Sequence, residues 1–519
     1  MTRRAKTLMF LGTGSDVGKS VLAAAFCRIF RQDGFRVAPF KAQNMALNSF
    51  ITPQGGEMGR AQVVQAEAAG IEPHVDMNPI LLKPTSTMGS QVIVLGKAVG
   101  NFSAKDYYAY KKRLTAVVRD AFERLSKNYD IVVLEGAGSA VELNLKDHDL
   151  VNLSMAKMAH APSILVGDID RGGIFAALLG SYLLMEPDER DLIAGFLVNK
   201  LRGDPDLFLP GVEILERRSG KPVLGVVPHF DHIALPEEDS VALGRRMGSG
   251  PKESSGQRPS IGVVRLPFVS NYTDFDCLEH DPGVDLVYFD RPGDVFRFDA
   301  VVLPGSKNTI EDLLALERSG MADALRAYFK AGGVVVGICG GYQMLGERIT
   351  DPHGVESRVR ETAGLGLLPM TTEMASEKVT TQVTARLHPD NRLGLGGISP
   401  SMVLSGYEIH MGRSRPLSSQ AAPCFRILSH NGRAVSAADA DDGFSSADGR
   451  VWGTYLHGIF DNDAFRRAFL SLLAEKRDGR GLSFGISNYG RWKDAQYDLL
   501  ADHVRSHCDM ERIYRIVGI

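Results

Sequence analysis

Two short strings in this 519-residue chain combine residue types that can do chemistry. The first, GTGSDVGKS, runs from Gly12 to Ser20 directly after a β-like run and before a helix-like one. A loop so placed presents backbone N–H groups and a helix N-terminus to phosphates. In such a loop Gly14 and Gly18 would give the backbone room, Lys19 would neutralise phosphate charge, and the Ser20 hydroxyl would serve as a ligand for a divalent cation. The second string, GGVVVGICGGYQMLG (332–346), carries an apolar run into Cys339, two glycines and a helix-like segment. A thiol at a helix N-terminus is favoured as thiolate by the positive end of the dipole, and the glycines allow a sharp turn with space for substrate. Cys27 lies instead on the apolar face of the first helix and reads as a buried hydrophobe.

These groups need a scaffold, and the pattern supplies an α/β one. Compact apolar runs at Thr7–Leu11, Arg36–Phe40, Ile131–Leu134, Ser163–Val166 and Ile193–Val198 alternate with helix-like segments such as Ser20–Gln32. Strands buried on both faces predict a doubly wound parallel sheet with ligands at its carboxyl ends. The stretch 244–260 (GRRMGSGPKESSGQRPS) is almost free of large apolar residues and reads as a linker. A second α/β pattern follows, with strands expected at Ile261–Leu266, Ala300–Leu303, Val334–Ile338 and Val451–Leu456 and a charged helical tail from Ala464. The expected division is therefore 1–243, a linker at 244–260, and a second domain at 261–519.

Composition narrows the partners. Lys plus Arg number 59 against 62 Asp plus Glu, a net charge of -3, which excludes the basic footprint of a general nucleic-acid binder. No apolar stretch approaches the roughly 18–20 residues of a membrane span, and the run after Arg3, Arg4 and Lys6 is too short for a secretion signal. Five cysteines without a CxxC pair argue against a disulfide framework and for the reducing cytoplasm. Cys277 and His280 form a CxxH pair, but two ligands do not make a zinc site. Oligomeric state is not legible.

The phosphate loop resembles a Walker A loop with its first glycine one place early, Thr13 standing where the strict spacing wants glycine. It lacks, at Gly14, the extra lysine of partitioning ATPases, and is similar to the loop of dethiobiotin synthetase and its relatives, which use ATP to activate a carboxylate-type oxygen. That resemblance implies Mg²⁺ between Ser20 and Glu135 (in IVVLEGAGS, 131–139) and adenine binding by Asn199. The flanks of Cys339 resemble class I glutamine amidotransferases. This implies a base at His457 in VWGTYLHGIF (451–460) and an oxyanion hole from backbone N–H groups near Gly305 and Gly340. Most such relatives place a glutamate two residues after the histidine, where this chain has Ile459. Glu408 and His410 are candidates for the third group or for a structural or gating role.

A glutaminase fused to a carboxylate-activating ATPase specifies an amidoligase. The strings FKAQNMALN (40–48), GGEMGRAQ (55–62) and MNPILLKP (77–84) identify the chain as a member of the corrinoid amidotransferases of cobalamin biosynthesis. They point to the branch that amidates the peripheral b, d, e and g carboxylates of adenosylcobyrinic acid a,c-diamide with glutamine and ATP-Mg²⁺. The branch that acts on the a and c arms is the alternative, and a non-enzymatic nucleotide-binding protein is another. The resemblance implies small-molecule substrates and no tightly bound prosthetic group. Lys41 is expected to face the phosphates and stabilise the transferring phosphoryl group or acyl phosphate. Gln43, Asn44 and Asn48 are either corrin-arm partners or ordinary turn residues. Arg171, in GDIDRGG (167–173), is a candidate clamp for a substrate carboxylate, with Asp168 and Asp170 open to metal binding or helix capping.

Overall fold

The computed structural model describes residues 4–86, 89–236, 258–436, 440–478 and 485–519. The chain divides into two compact units. One comprises Met1–Ala46, Glu57–Pro236 and Lys493–Ile519; the other comprises Leu47–Gly56 and Glu237–Trp492.

The N-terminal unit is built on six parallel strands, β1 (Lys6–Gly12), β2 (Val37–Phe40), β3 (Ile131–Glu135), β4 (Ser163–Asp168), β5 (Ile193–Leu201) and β6 (Val223–Pro228). Their order is β6-β5-β4-β1-β3-β2. Leu8–Leu11 of β1 and Ile131–Leu134 of β3 are unbroken apolar runs and fully buried, the pattern of parallel strands covered on both faces. Helix α1 (Lys19–Gln32) buries Leu22, Phe26, Ile29 and Phe30, with the Phe26 ring 5.1 Å from that of Phe10 on β1. The carboxyl ends of β1, β3 and β4 thus open onto the loops that carry the phosphate-loop, Glu135 and Asp168 residues. A four-stranded sheet (Gln43–Met45, Ile80–Ser86, Gly89–Val94, Lys97–Ser103) and the short helix α2 (Arg60–Ala69) add to this frame. A 25-residue helix α3 (Ala104–Asn128) follows, its first turn capped by the Ser103 hydroxyl accepting from the Asp106 N–H.

The C-terminal unit carries a second parallel sheet, β7 (Ser260–Val264), β8 (Asp285–Phe289), β9 (Ala300–Leu303), β10 (Val334–Ile338) and β11 (Val451–Thr454), in the order β8-β7-β9-β10-β11. The sheet continues past β11 through antiparallel strands, Asp441–Ser445, Ala422–His430, Met370–Leu387 and Leu404–Pro416, that the sequence pattern did not announce.

The division of the chain departs from the expected one in two places. Residues 493–519 belong to the N-terminal unit, where Leu500, Ala501, Val504, Ile513 and Val517 enter the core beside α1. The buried Arg28 on α1 donates to Asp494 (2.8 Å) and Asp498 (2.7 Å) on the same tail. Leu47–Gly56 belongs to the C-terminal unit. Of the expected linker, 244–257 lies outside the described residues, and Ser260 already opens β7. Among the described residues no helix is long and apolar enough to cross a membrane.

Candidate active sites

In the N-terminal unit the phosphate loop joins β1 to α1. Gly18, at φ 99°, occupies backbone that L side chains rarely adopt, and a Cβ there would fall 2.1 Å from Asn199 Nδ2. A Cβ on Gly12 would meet Lys19 Nζ at 2.7 Å, which accounts for the glycine one place early. Lys19 reaches along the loop and donates to the Gly14 (2.8 Å) and Gly138 (2.9 Å) carbonyls.

Glu135, at the end of β3, is the hub. Its Oε1 accepts from Ser20 Oγ (2.7 Å) and pairs with Lys41 Nζ (2.7 Å), and its Oε2 accepts from Gln65 Nε2 (2.6 Å) and, at 3.4 Å, from Gln62 Nε2. Burial raises the carboxyl pKa, but the Lys41 charge and the hydrogen bonds from Lys41, Ser20 and Gln65 outweigh it, so the net direction is down and the group is ionised. An ionised carboxylate and a hydroxyl at the mouth of a phosphate loop are hard oxygen donors of the kind Mg²⁺ takes alongside phosphate oxygens, so the residues present fit that ion.

The other expected residues fall in different places. Gln43 accepts from Tyr107 OH (2.6 Å) and lines a cavity of about 670 Å³ whose wall includes Gly138 and Ser139 beside the phosphate loop. Asn44 is buried and donates to Gln62 Oε1 (3.0 Å), one step behind Glu135. Asn48 belongs to the other unit. Asn199 donates to the Val17 carbonyl (2.9 Å), so its amide holds the loop backbone, a contact that the adenine assignment did not anticipate. Arg171 is half exposed and pairs with Asp16 (3.3 Å) and Asp168 (3.5 Å), and Asp168 also pairs with Lys200 (2.9 Å). Asp170 accepts from Arg202 (2.8 Å), so both acids are engaged by cations.

In the C-terminal unit Cys339 sits between β10 and the helix Gly340–Met344 with φ 51° and ψ -109°, a conformation costing on the order of 1–3 kcal/mol. Close packing at the turn demands glycine after it: a Cβ on Gly340 would meet Ser306 N at 2.8 Å and one on Gly341 would meet Leu303 O at 2.0 Å. The turn carrying Gly305 is thereby pressed against Gly340, bringing the two expected oxyanion groups together, and a Cβ on Gly305 would come within 3.4 Å of His457 Cε1.

His457 is buried and has its Nδ1 2.7 Å from Asp274 Oδ2. The second Asp274 oxygen accepts from the Gly458 N–H (3.0 Å). Burial opposes charge on the imidazole, but Asp274 and the Cys339 sulfur prevail and push it up to about 10. The group that orients His457, left open by the sequence, is therefore Asp274, in the short 3-10 helix Tyr272–Phe275 that follows β7. Glu408 is engaged by Thr381 (3.1 Å) and His430 (3.3 Å), and His410 stacks on Tyr455 with ring centroids 3.8 Å apart, so neither orients His457. Ile459 is simply core. No local signal in NYTDFDCLEHD (271–281) singles out Asp274 among its acidic neighbours. Gln65 was findable, since it stands one helical turn from Gln62. His280 stacks on Trp492 and its Nδ1 lies 2.7 Å from the Asp276 carbonyl oxygen, and no cluster of three or more metal-ligating side chains occurs among the described residues.

A phosphate-loop domain with a Lys–Glu–Ser cluster around a buried carboxylate, joined to a Cys–His–Asp site, defines an ATP-dependent amidoligase fed by a glutamine amidotransferase. Residues 8–241 match the CobQ/CobB/MinD/ParA nucleotide binding domain family, and residues 260–465 match the CobB/CobQ-like glutamine amidotransferase domain family. Cobyric acid synthase of Syntrophobacter fumaroxidans is 68% identical, with 100% of each chain covered. Cobyric acid synthases of Moorella thermoacetica (99% of this chain, 98% of the relative) and of Dehalococcoides mccartyi (99% of each) are both 48% identical. The chain belongs to the cobyric acid synthase family.

Proposed function

We propose that the chain amidates the b, d, e and g carboxylates of adenosylcobyrinic acid a,c-diamide, taking nitrogen from glutamine and energy from ATP. The observation that carries this reading is the contact of Lys41, within FKAQNMALN, with Glu135 and through it with Ser20 of the phosphate loop. At the first site a substrate carboxylate attacks the γ-phosphorus of ATP, ADP leaves, and an acyl phosphate results. Lys19 and Lys41 hold the negative charge that moves with the phosphoryl group. Ser20 and Glu135 would hold Mg²⁺, which supplies further charge neutralisation on the phosphates when bound. Gln62, Gln65 and Asn44 orient the Glu135 carboxylate.

The acceptor's place in this reading is the cavity beside Gly138 and Ser139. Its apolar and aromatic wall, including Phe102, Tyr107 and Tyr108, suits the face of a corrin ring, and Lys111 suits a carboxylate arm. Gln43, hydrogen-bonded to Tyr107, is the expected arm-binding residue with the best support, whereas Arg171 would have to leave two carboxylates to serve.

At the second site the Cys339 thiolate attacks the glutamine amide carbon while backbone N–H groups at Gly305 and Gly340 face the oxyanion. The His457 imidazolium, held by Asp274, gives its proton to the departing ammonia. Water then releases glutamate from the thioester, and ammonia displaces phosphate from the acyl phosphate to give the amide.

The test is mass spectrometry of adenosylcobyrinic acid a,c-diamide after incubation with the protein, ATP-Mg²⁺ and amide-¹⁵N glutamine. Four labelled nitrogens in the corrinoid are expected. An unlabelled corrinoid, with the protein folded and binding ATP, would overturn the reading.

A further inference from the structure

Ser49–Ile51 is a short strand within Leu47–Gly56, the segment that packs in the C-terminal unit although the chain before and after it belongs to the N-terminal one. Its contacts converge on the residues around the glutaminase dyad. The Ser49 N–H donates to Asn271 Oδ1 (3.2 Å), and the Ser49 carbonyl accepts from Tyr407 OH (3.4 Å). The Phe50 ring lies 5.2 Å from that of Tyr407. Ile51 is fully buried in a cluster with Tyr407 and Ile409, and its carbonyl accepts from the Gln382 amide.

Tyr407, Asn271 and Ile409 in turn lie against the reacting groups. The Tyr407 ring stacks on His457 at 5.1 Å with planes 16° apart, and the two residues exchange backbone hydrogen bonds of 3.2 and 2.9 Å. Asn271 Nδ2 stands 3.5 Å from His457 Nε2, the nitrogen left for Cys339 once Nδ1 is engaged by Asp274. The Ile409 carbonyl is 3.6 Å from Cys339 Sγ. The imidazole plane is thus set on one side by Asp274 and on its face by a tyrosine that Ser49 and Phe50 hold. Displacing such a group by about 1 Å costs on the order of 10²-fold in rate.

The flanks of the segment lie in the unit that carries the phosphate loop. Lys41 and Gln43 precede it, and Glu57 (paired with Lys83 at 2.8 Å), Gln62 and Gln65 follow it. We propose that Ser49, Phe50 and Ile51 are positioning residues for glutamine hydrolysis, acting through Tyr407 and Asn271 on His457, and that loading of the ATP and acceptor sites alters glutaminase rate through this segment. The proposal rests on the amidoligase reading above.

The test uses the full chain. Glutamate release from glutamine is measured with and without ATP and acceptor, beside ADP formation and amide formation driven by ammonium. In Phe50→Ala, glutamine-dependent kcat is expected to fall by about tenfold or more, with ammonium-driven turnover within about twofold of the parent. Stimulation of the glutaminase by ATP and acceptor is expected to disappear, and Phe50→Tyr to restore it. Tyr407→Phe, a milder change that removes the hydroxyl bond to Ser49, is expected to weaken the stimulation without touching ammonium-driven turnover. Unchanged kcat and stimulation in both variants would overturn the proposal, as would a parallel fall of the glutamine and ammonium activities. If the parent chain forms no amide from ammonium, the amidoligase reading itself falls, a result distinct from either.

Discussion

At the scale of single residues, the two sites are governed by one buried carboxylate each, and they use it in opposite ways. Asp274 raises the charge preference of its partner. A free histidine titrates near 6.5, whereas His457 beside Asp274 and the Cys339 sulfur is pushed up to about 10. The imidazolium that protonates departing ammonia therefore persists through neutral pH and is lost only as pH rises through that value. Asp274→Asn removes the attraction and leaves the opposing effect of burial, so the alkaline limb of glutamine-dependent kcat should move to lower pH. The kcat itself should drop by on the order of 10²–10⁴-fold, with ammonium-driven amidation intact. A pH profile of glutamate release checks both statements, and an unmoved alkaline limb would remove Asp274 from the site. Glu135 is the reverse case, a carboxylate kept ionised in a buried setting by Lys41. Lys41→Met leaves that charge without its cation, which costs about 3–5 kcal/mol in comparable buried pairs. The expected outcome is a lowered melting temperature of the N-terminal unit together with loss of amidation from either nitrogen source, read by calorimetry and ADP release.

At the scale of elements, the parallel strands were legible because each is a short apolar run ending in a loop of special composition. Ala300–Leu303 and Val334–Ile338 fall where the pattern put them, and Lys6–Gly12 and Ser163–Asp168 extend the expected runs by one or two residues. The antiparallel extension was not legible. Met370–Leu387 mixes threonine, glutamate and lysine with single apolar residues, a half-exposed pattern without a continuous run. Cys339 and His457 could be found because each stands at a strand end in a glycine-flanked turn. Asp274 and Tyr407 could not, since their meaning lies in partners 183 and 50 residues away. The tail misled for a similar reason: its charged, amphipathic pattern announces helices but not the surface they cover. That surface is α1, through Arg28 and the apolar face of Tyr497, Leu500 and Val504. Each such side chain contributes about 1.5–3 kcal/mol on burial, so the tail is integral to the ATP-using unit. A chain ending before Lys493 should lose ATP-dependent amidation and expose apolar surface to a hydrophobic dye. Retention of ammonium-driven turnover by that truncated chain would show the tail to be dispensable.

At the scale of the molecule, the two chemistries depend on each other in one direction only. Ammonia is a competent nucleophile whatever its source, but it has nothing to attack until a carboxylate has been phosphorylated. Cys339→Ser should therefore abolish glutamine use and leave ammonium-driven, ATP-dependent amidation near the parent rate, because the hydroxyl is too weak an acid to form the attacking anion beside His457. Lys19→Ala should lower amidation from both sources together, by on the order of 10²–10³-fold, since it removes a preorganised charge from the phosphoryl-transfer step on which both converge. The pair of variants separates the enzyme from a nucleotide-binding protein with an idle second domain. In such a protein Cys339→Ser would change no measurable product, and Lys19→Ala would alter nucleotide affinity alone. Measuring ADP and corrinoid amide side by side, with glutamine and then with ammonium chloride, decides the matter. Survival of ammonium-driven amidation in Lys19→Ala at the parent rate would mean that the loop from Gly12 to Ser20 does not hold the phosphates that are transferred.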